Sequence, residues 1–347
     1  MFPFVSEFRL FLNIILDPKM NHVFLTGAGG MLGNSILREL LKREYKVTGL
    51  YRPGERIPEI DSKNFQATVG DLLNKDLMQK SAAESEFIIH AAASTSVWPR
   101  RHPLTVKVNL EGTKNLVEAA QKNKVKRFIH IGTANSFAPG SKNNPGNESN
   151  PYDGWRFNMD YMDSKFEAQK FLLQEFQERN FPVIIINPTY MIGPFDFGPS
   201  SGKMLLALYQ NKIPGYSAGG KSFVCSKDVA KAVVNGLTMG NTGQCYIAGG
   251  ENMNYQEFFS KACKVMNKPF RLRAIPGGLV LSYGFLNSAV SRLIRKAPVL
   301  SYGMAKIGNL EQYYSSEKIR TELHMPQTPI ETGIEECLQW FKSNNYC

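Results

Sequence analysis

Residues 22–33 read His22-Val23-Phe24-Leu25-Thr26-Gly27-Ala28-Gly29-Gly30-Met31-Leu32-Gly33. The run His22–Thr26 has the composition of a buried strand. From Gly30 to Glu44, Leu32, Ile36 and Leu40 recur every four residues with Leu37 and Leu41 beside them, which is the apolar stripe of a helix. Between strand and helix stand glycines at 27, 30 and 33. Gly27 permits a tight turn, Gly30 lets the backbone approach a pyrophosphate, and Gly33 allows close helix–strand packing, while the free N–H groups and positive dipole end of the helix face the phosphates. Three glycines alone are a weak sign; their place between a strand and a helix gives the loop its meaning.

Working outward, further strand-like runs fall at Lys46–Tyr51, Phe65–Gly70, Phe87–Ala91, Arg127–Gly132 and Pro182–Asn187. Most are continuously apolar, as in a parallel sheet covered on both faces. Strand and helix alternate, so the fold expected is α/β, a Rossmann-type doubly wound parallel sheet. After Asn187 the rhythm changes to Gly/Pro loops and then helical patterns, read as a smaller, mostly helical lobe. The division expected is 1–19, a dispensable extension; 20–190, the dinucleotide-binding domain; and 191–347, a substrate-binding lobe integrated with it.

The chain has 347 residues, 43% hydrophobic and 20% charged, with a net charge of +11. That composition is globular. The densest basic runs, Lys122/Lys124/Lys126/Arg127 and Arg292/Arg295/Lys296, are short and interrupted, as solvated helix faces are, and no nucleic-acid motif accompanies them. A basic groove for an anionic cofactor accounts for the surplus equally well. Five scattered cysteines without a CxxC pair point to neither a zinc site nor a disulfide framework and suit a reducing compartment, so no metal and a cytoplasmic location are expected. The apolar run Phe8–Leu16 is broken by Arg9 and Asn13 and is shorter than the ~20 residues of a membrane span. Met20, directly before the first strand, reads as the functional start.

At the end of the second strand, where an NAD-binding fold places an acidic residue for the ribose, the sequence is Leu50-Tyr51-Arg52-Pro53. A guanidinium can pair with a 2′-phosphate, so Arg52 favours NADP over NAD. Asp71 and Leu72 close the third strand and suit an adenine. The small side chains of Ala91, Ala92 and Ala93 leave room for a cofactor at the fourth. Farther on, Tyr161 and Lys165 stand four apart in a helical stretch, on one face. A neighbouring ammonium would lower the phenol's pKa from about 10 and make Tyr161 a general acid/base.

With TGAGGMLG at 26–33, HAAA at 90–93, Asn109 in NLEGT, IGTANSF at 131–137, YMDSK at 161–165, INPTYMIGP at 186–194 and SKDVA at 226–230, the chain resembles the extended branch of the short-chain dehydrogenase/reductase superfamily, from Met20 to about Phe341. The resemblance implies an oxidoreductase with a catalytic group of Thr133, Tyr161 and Lys165, Ser136 being the fallback for Thr133. It also implies that Lys165 binds the nicotinamide ribose and that Pro188 and Thr189 line the nicotinamide. In the family the residue before Thr133 is often Ser, where this chain has Gly132; sugar-nucleotide epimerases of this branch typically show Tyr-Gly where it has Phe137-Ala138 and tend to have Arg where it has Asn187. INPTxxxGPxD is more similar to dihydroflavonol-reductase-like carbonyl reductases and to the hopanoid-associated epimerase-like group. The expected activity is hydride transfer between NADP(H) and a carbonyl or secondary alcohol of a small apolar substrate, the alternative being a nucleotide-sugar epimerase or dehydratase with tightly held NAD(P). Ser94, Trp98, Asn135, Phe137, Tyr190 and Phe195, with Phe197, are the expected substrate contacts, and a homodimer is the expected assembly.

Overall fold

A computed structural model of the chain describes residues 21–347; the extension at 1–19 lies outside them. In chain order the strands are β1 His22–Thr26, β2 Lys46–Tyr51, β3 Phe65–Val69, β4 Phe87–His90, β5 Arg127–Ile131, β6 Val183–Pro188, β7 Tyr190–Ile192, β8 Gly220–Cys225, β9 Gln244–Ala248, β10 Glu251–Asn254 and β11 Glu311–Gln312. The helices are α1 Met31–Lys42, α2 Lys75–Ala83, α3 Pro103–Val106, α4 Gly112–Lys122, α5 Asp160–Arg179, α6 Lys203–Tyr209, α7 Ser226–Asn235, α8 Tyr255–Val265, α9 Gly277–Ile294, α10 Tyr302–Gly308, α11 Glu317–Glu322 and α12 Ile330–Ser343. A π-helical turn at Lys107–Glu111 joins α3 to α4.

Seven strands form one parallel sheet in the order β3-β2-β1-β4-β5-β6-β9. Alternate side chains of each strand enter opposite layers. Val23 and Leu25 of β1 pack with Leu32 and Ile36 of α1, Val229 of α7 and Ile319 of α11. Phe24 packs the other way, with Met78 of α2, Leu116 of α4 and Leu172 of α5. The strand order reverses between β1 and β4, and the crevice outside the carboxyl ends of strands at such a switch point is where this fold receives ligands.

Seven helices make residues 191–347 mostly helical, as expected, and to these the structure adds a feature not read in the sequence: β7, β8, β10 and β11 form a second sheet, packed on α6, α8 and α12 through Leu205, Phe258 and Phe341. Its strands are short, β11 has two residues, and β10 reads Glu-Asn-Met-Asn, so no period-two pattern can develop. The large sheet continues past residue 190. β9 is its seventh strand, and α7 and α11 cover one face of it.

Candidate active site

Gly27 has φ +72°, and a Cβ there would lie 2.6–2.8 Å from the backbone of Ala91 and Ala92. At Gly33 a Cβ would stand 2.0 Å from the Gly27 carbonyl oxygen, so the helix sits directly on the loop. Gly30 N–H donates to Gly27 O (3.1 Å), and Gly30 caps α1 with no side chain on the amides and no acid in the first turn. The Gly30-Met31-Leu32 backbone therefore opens, positively poled, onto a cavity of about 910 Å³. That cavity lies at the upper end of the ~300–1,000 Å³ usual for ligand sites. Arg52, Asp71, Leu72, the Ala91-Ala92-Ala93 run, Pro188 and Thr189 all line it.

Around Arg52 the structure adds two features to the sequence reading. Tyr51 is fully buried, edge-on to Phe65. The Arg52 guanidinium is held by Glu55, Nε–Oε1 2.7 Å and Nη2–Oε1 2.6 Å, and the other Glu55 oxygen takes the Arg52 N–H (2.9 Å). A carboxylate thus does line the cavity near Arg52, four residues after Tyr51, which holds the place of the acid in the sequence pattern.

Tyr161 and Lys165 lie on the first turns of α5. The helix start is pinned from below: Arg101 pairs with Asp160 (2.5 Å), whose other oxygen accepts the His102 N–H, and Tyr152 Oη donates to Asp163 (2.7 Å). Asn109, buried in the π turn, accepts Ser94 N–H and donates to Ser94 O and Ser164 Oγ, tying the Ala-Ala-Ala-Ser loop to α5. Thr133 and Tyr161 both line the cavity, and the Thr133 side chain is placed to pull the phenol's pKa down. Ser136 is buried outside the cavity, so Thr133 rather than the fallback is the hydroxyl beside the tyrosine.

Gly132 and Asn187 prove to be a coupled pair. A Cβ on Gly132 would stand 2.0 Å from Asn187 Oδ1, and that oxygen accepts the Thr133 N–H at 2.9 Å. The amide on β6 fills the place of a serine side chain and sets the strand end from which Thr133 projects.

Lys165 is 3% exposed, and its amine donates to Ile131 O (2.5 Å). Burial brings its pKa down to about 7. In the same layer His90 bridges Thr26 Oγ1 (2.8 Å) and Thr113 Oγ1 (2.9 Å), and burial together with the Lys165 charge holds it near 3. His130 is likewise held uncharged, first by burial and then by Lys165 and His90. The Tyr161 phenol is not lowered by Lys165, contrary to the sequence reading; burial pushes it up, and the Thr133 side chain pulls partly back. It keeps its proton at neutral pH, as a proton donor must.

Of the expected substrate contacts, Ser94, Asn135, Tyr190 and Phe197 line the cavity. Trp98, Phe137 and Phe195 do not. Val97 takes the place of Trp98, Phe137 is a core residue, and Phe195 turns away to lie under Arg38 and against Trp340. The sequence reading missed the opposite wall: Met159, Met304 and Ile307 surround Tyr161, and Lys221 reaches Gln312 Oε1 and the Tyr190 ring. Burial lowers the Lys221 amine to about 8. Met159, two residues before the Tyr161 motif, was the one local signal.

The model of the NAD dependent epimerase/dehydratase family matches residues 23–249. The chain belongs to this family. It is an enzyme of the extended short-chain dehydrogenase/reductase type, and the family uses a nicotinamide cofactor. It is similar to a putative dihydroflavonol 4-reductase of Synechocystis sp. (26% identity; 93% of this chain, 95% of the relative). It is also similar to a 3-beta-hydroxysteroid dehydrogenase of Mycolicibacterium neoaurum (26%; 94% and 93%). Among solved structures, that of gox2253 superposes with a TM-score of 0.81 at 25% identity, covering 93% of this chain and 98% of that one.

Two predictions follow from the packing beneath this dehydrogenase/reductase site. Gly132→Ser should lower the melting temperature and remove activity, because its side chain displaces Asn187 Oδ1; adding Asn187→Ala should restore much of the stability. A single variant as stable as wild type would show that the two residues are uncoupled. For Lys165, the folded amine titrates near 7 and the unfolded one near its usual value of about 10.4, so the unfolded chain binds more protons between these values and stability rises with pH across that window. The penalty is full below pH 7. Lys165→Met should therefore melt higher than wild type at pH 6, with the difference shrinking towards pH 10, while turnover is lost. A lower melting temperature at pH 6 would contradict the burial of a charge here.

Proposed function

We propose that this protein is an NADP-dependent reductase of a carbonyl group in a lipophilic, ring-sized substrate, working reversibly as a secondary-alcohol dehydrogenase. The observation that carries this reading is that Tyr161 and Thr133 share a cavity walled by Met159, Met304 and Ile307, where burial pushes the phenol's pKa up and so keeps its proton on. Methionine side chains are flexible and polarisable and adapt to irregular apolar shapes.

NADPH, when bound, supplies the hydride. The protein's part is to hold and move a proton. Tyr161 Oη passes its proton to the oxygen of the reacting carbonyl, and the Thr133 hydroxyl donates to the same oxygen and fixes its position. An ammonium has three donors. One of Lys165 is spent on Ile131 O, leaving two for the ribose hydroxyls and for restoring the phenol's proton. At the far wall Lys221 and Gln312 offer a polar anchor for the remote end of the substrate.

The alternative, a nucleotide-sugar epimerase or dehydratase, must hold a second diphosphate. On the wall contributed by residues 191–347, Lys221 is the only Lys or Arg among the described residues lining the cavity. The names of the relatives above, a reductase of a flavonoid and a dehydrogenase of a steroid, support an apolar substrate.

Tyr161→Phe tests the reading. Turnover with hydrophobic ketones should fall by roughly 10²–10⁴, the usual worth of a general acid, with NADPH affinity nearly unchanged. Retention of activity within a few-fold of wild type would remove Tyr161 from the mechanism. Cofactor preference is tested at the ion pair. Arg52→Ala should weaken NADPH roughly ten- to a hundredfold and NADH little, as expected for loss of a charge-assisted bond. Glu55→Gln, which frees the guanidinium, should strengthen NADPH relative to NADH. Equal effects on both cofactors in both variants would contradict a 2′-phosphate site.

A further inference from the structure

Helix α9 is amphipathic in the reverse sense. Its small and polar residues face the protein: Gly284, Ser288 and Ser291 are buried, a Cβ on Gly284 would come 2.7 Å from Ala305 Cβ, and Ser288 Oγ accepts the Tyr302 N–H (2.8 Å). Its large apolar residues face outward. Leu279, Leu286 and Leu293 are 63, 62 and 85% exposed, and Tyr283 and Val290, at intervening three- and four-residue steps, complete one stripe. Phe285 and Ile294 flank it, and Val299, just beyond the helix, is 88% exposed. Single exposed apolar residues are common on proteins; a contiguous stripe of this length marks a surface that something covers.

The charge around the helix identifies what fits. Residues 258–310 contain nine Lys and Arg and no Asp or Glu, which accounts for most of the net charge of +11. Arg292, Arg295 and Lys296 are exposed at the C-terminal end of the stripe, and Arg271 and Arg273 are exposed before its start. Apolar residues on one face with cations at its ends are what an interfacial helix presents to a bilayer with anionic headgroups. A second copy of the chain fits less well. A two-fold contact sets the same patch against itself, so the cations would meet cations. No helix among the described residues is long and apolar enough to cross a membrane.

We propose that the outer face of α9 docks on the surface of an anionic phospholipid bilayer, lying in the interface without spanning it. The helix it rests on, α10, contributes Met304 and Ile307 to the wall of the catalytic cavity. Docking by α9 therefore brings that wall next to lipid and gives an apolar substrate a route from the membrane that avoids water. The docking itself rests on α9 and its charges, independently of the reaction carried out in the cavity.

Sedimentation of the full-length protein with sucrose-loaded vesicles tests this. The protein should pellet with phosphatidylcholine–phosphatidylserine vesicles, less with phosphatidylcholine alone, and less again as salt screens the headgroups. The double variant Leu286→Glu/Leu293→Glu changes only exposed positions and should keep the wild-type melting temperature and vesicle-free NADPH oxidation. Its vesicle affinity should fall roughly tenfold or more, the scale of losing two buried leucines. Failure of the wild type to pellet, or equal pelleting of the variant, would overturn the proposal. So would a drop of the variant from dimer to monomer in light scattering without lipid, which would assign the face to a second copy. None of these outcomes bears on the carbonyl-reductase reading, which the Tyr161→Phe kinetics test separately.

Discussion

The site depends on forcing one amine into an apolar layer. Lys165 enters the body of the protein because α5 is clamped over the carboxyl ends of β4 and β5, by Arg101 and His102 at its start and by Asn109 through Ser164. Once there, the amine has a single protein partner, the Ile131 carbonyl, and two uncharged histidines beneath it. A charge held in this way is costly unless further polar groups share it. The same clamp fixes Tyr161 one turn earlier, at the surface of the cavity. Stability is given up at Lys165 and recovered elsewhere in the sheet, which is how catalytic positions commonly differ from their surroundings.

The second constraint is steric. Gly27, Gly33, Ala91 and Ala92 meet with no room for another carbon atom, so the start of α1 is brought against β4 at the point where the strand order reverses. The amides at the start of α1 and the helix that carries Tyr161 and Lys165 thereby face one another across a single cavity. Gly132 and Asn187 repeat the device on a smaller scale at β5 and β6. A serine exchanged for glycine and an arginine exchanged for asparagine looked in the sequence like two unrelated departures from a family pattern. In space they are one exchange, with the amide occupying the volume that the smaller residue vacates.

What the sequence made legible was local. Leu32, Ile36 and Leu40 announce α1 because they recur at the helix period, and β1 and β2 are found to the residue because their β-branched and apolar side chains flank the glycine loop and its helix. Tyr161 and Lys165 are legible because four residues is one helical turn. The features that were not legible depend on which way a side chain turns or on distant chain meeting. Phe137 and Phe197 look alike in sequence, yet one belongs to the core and the other to the cavity. Glu55 lies outside the acidic position of the pattern and joins the site through a turn. Lys221 and Gln312 are 91 residues apart and meet only across the second sheet. The reversed face of α9 escaped for a different reason: its apolar spacing is that of an ordinary core helix, and only burial reveals that the stripe points outward.

The central claim is that the cavity performs net hydride transfer to a carbonyl, with the cofactor consumed. The most direct test follows the transferred atom. NADPH carrying deuterium at the transferable C4 position would be incubated with the protein and a hydrophobic ketone, and the product analysed by mass spectrometry. The account predicts an alcohol with one deuterium on the carbinol carbon and one NADP⁺ formed for each alcohol. A product without deuterium, or turnover that leaves the NADPH unoxidised, would contradict it.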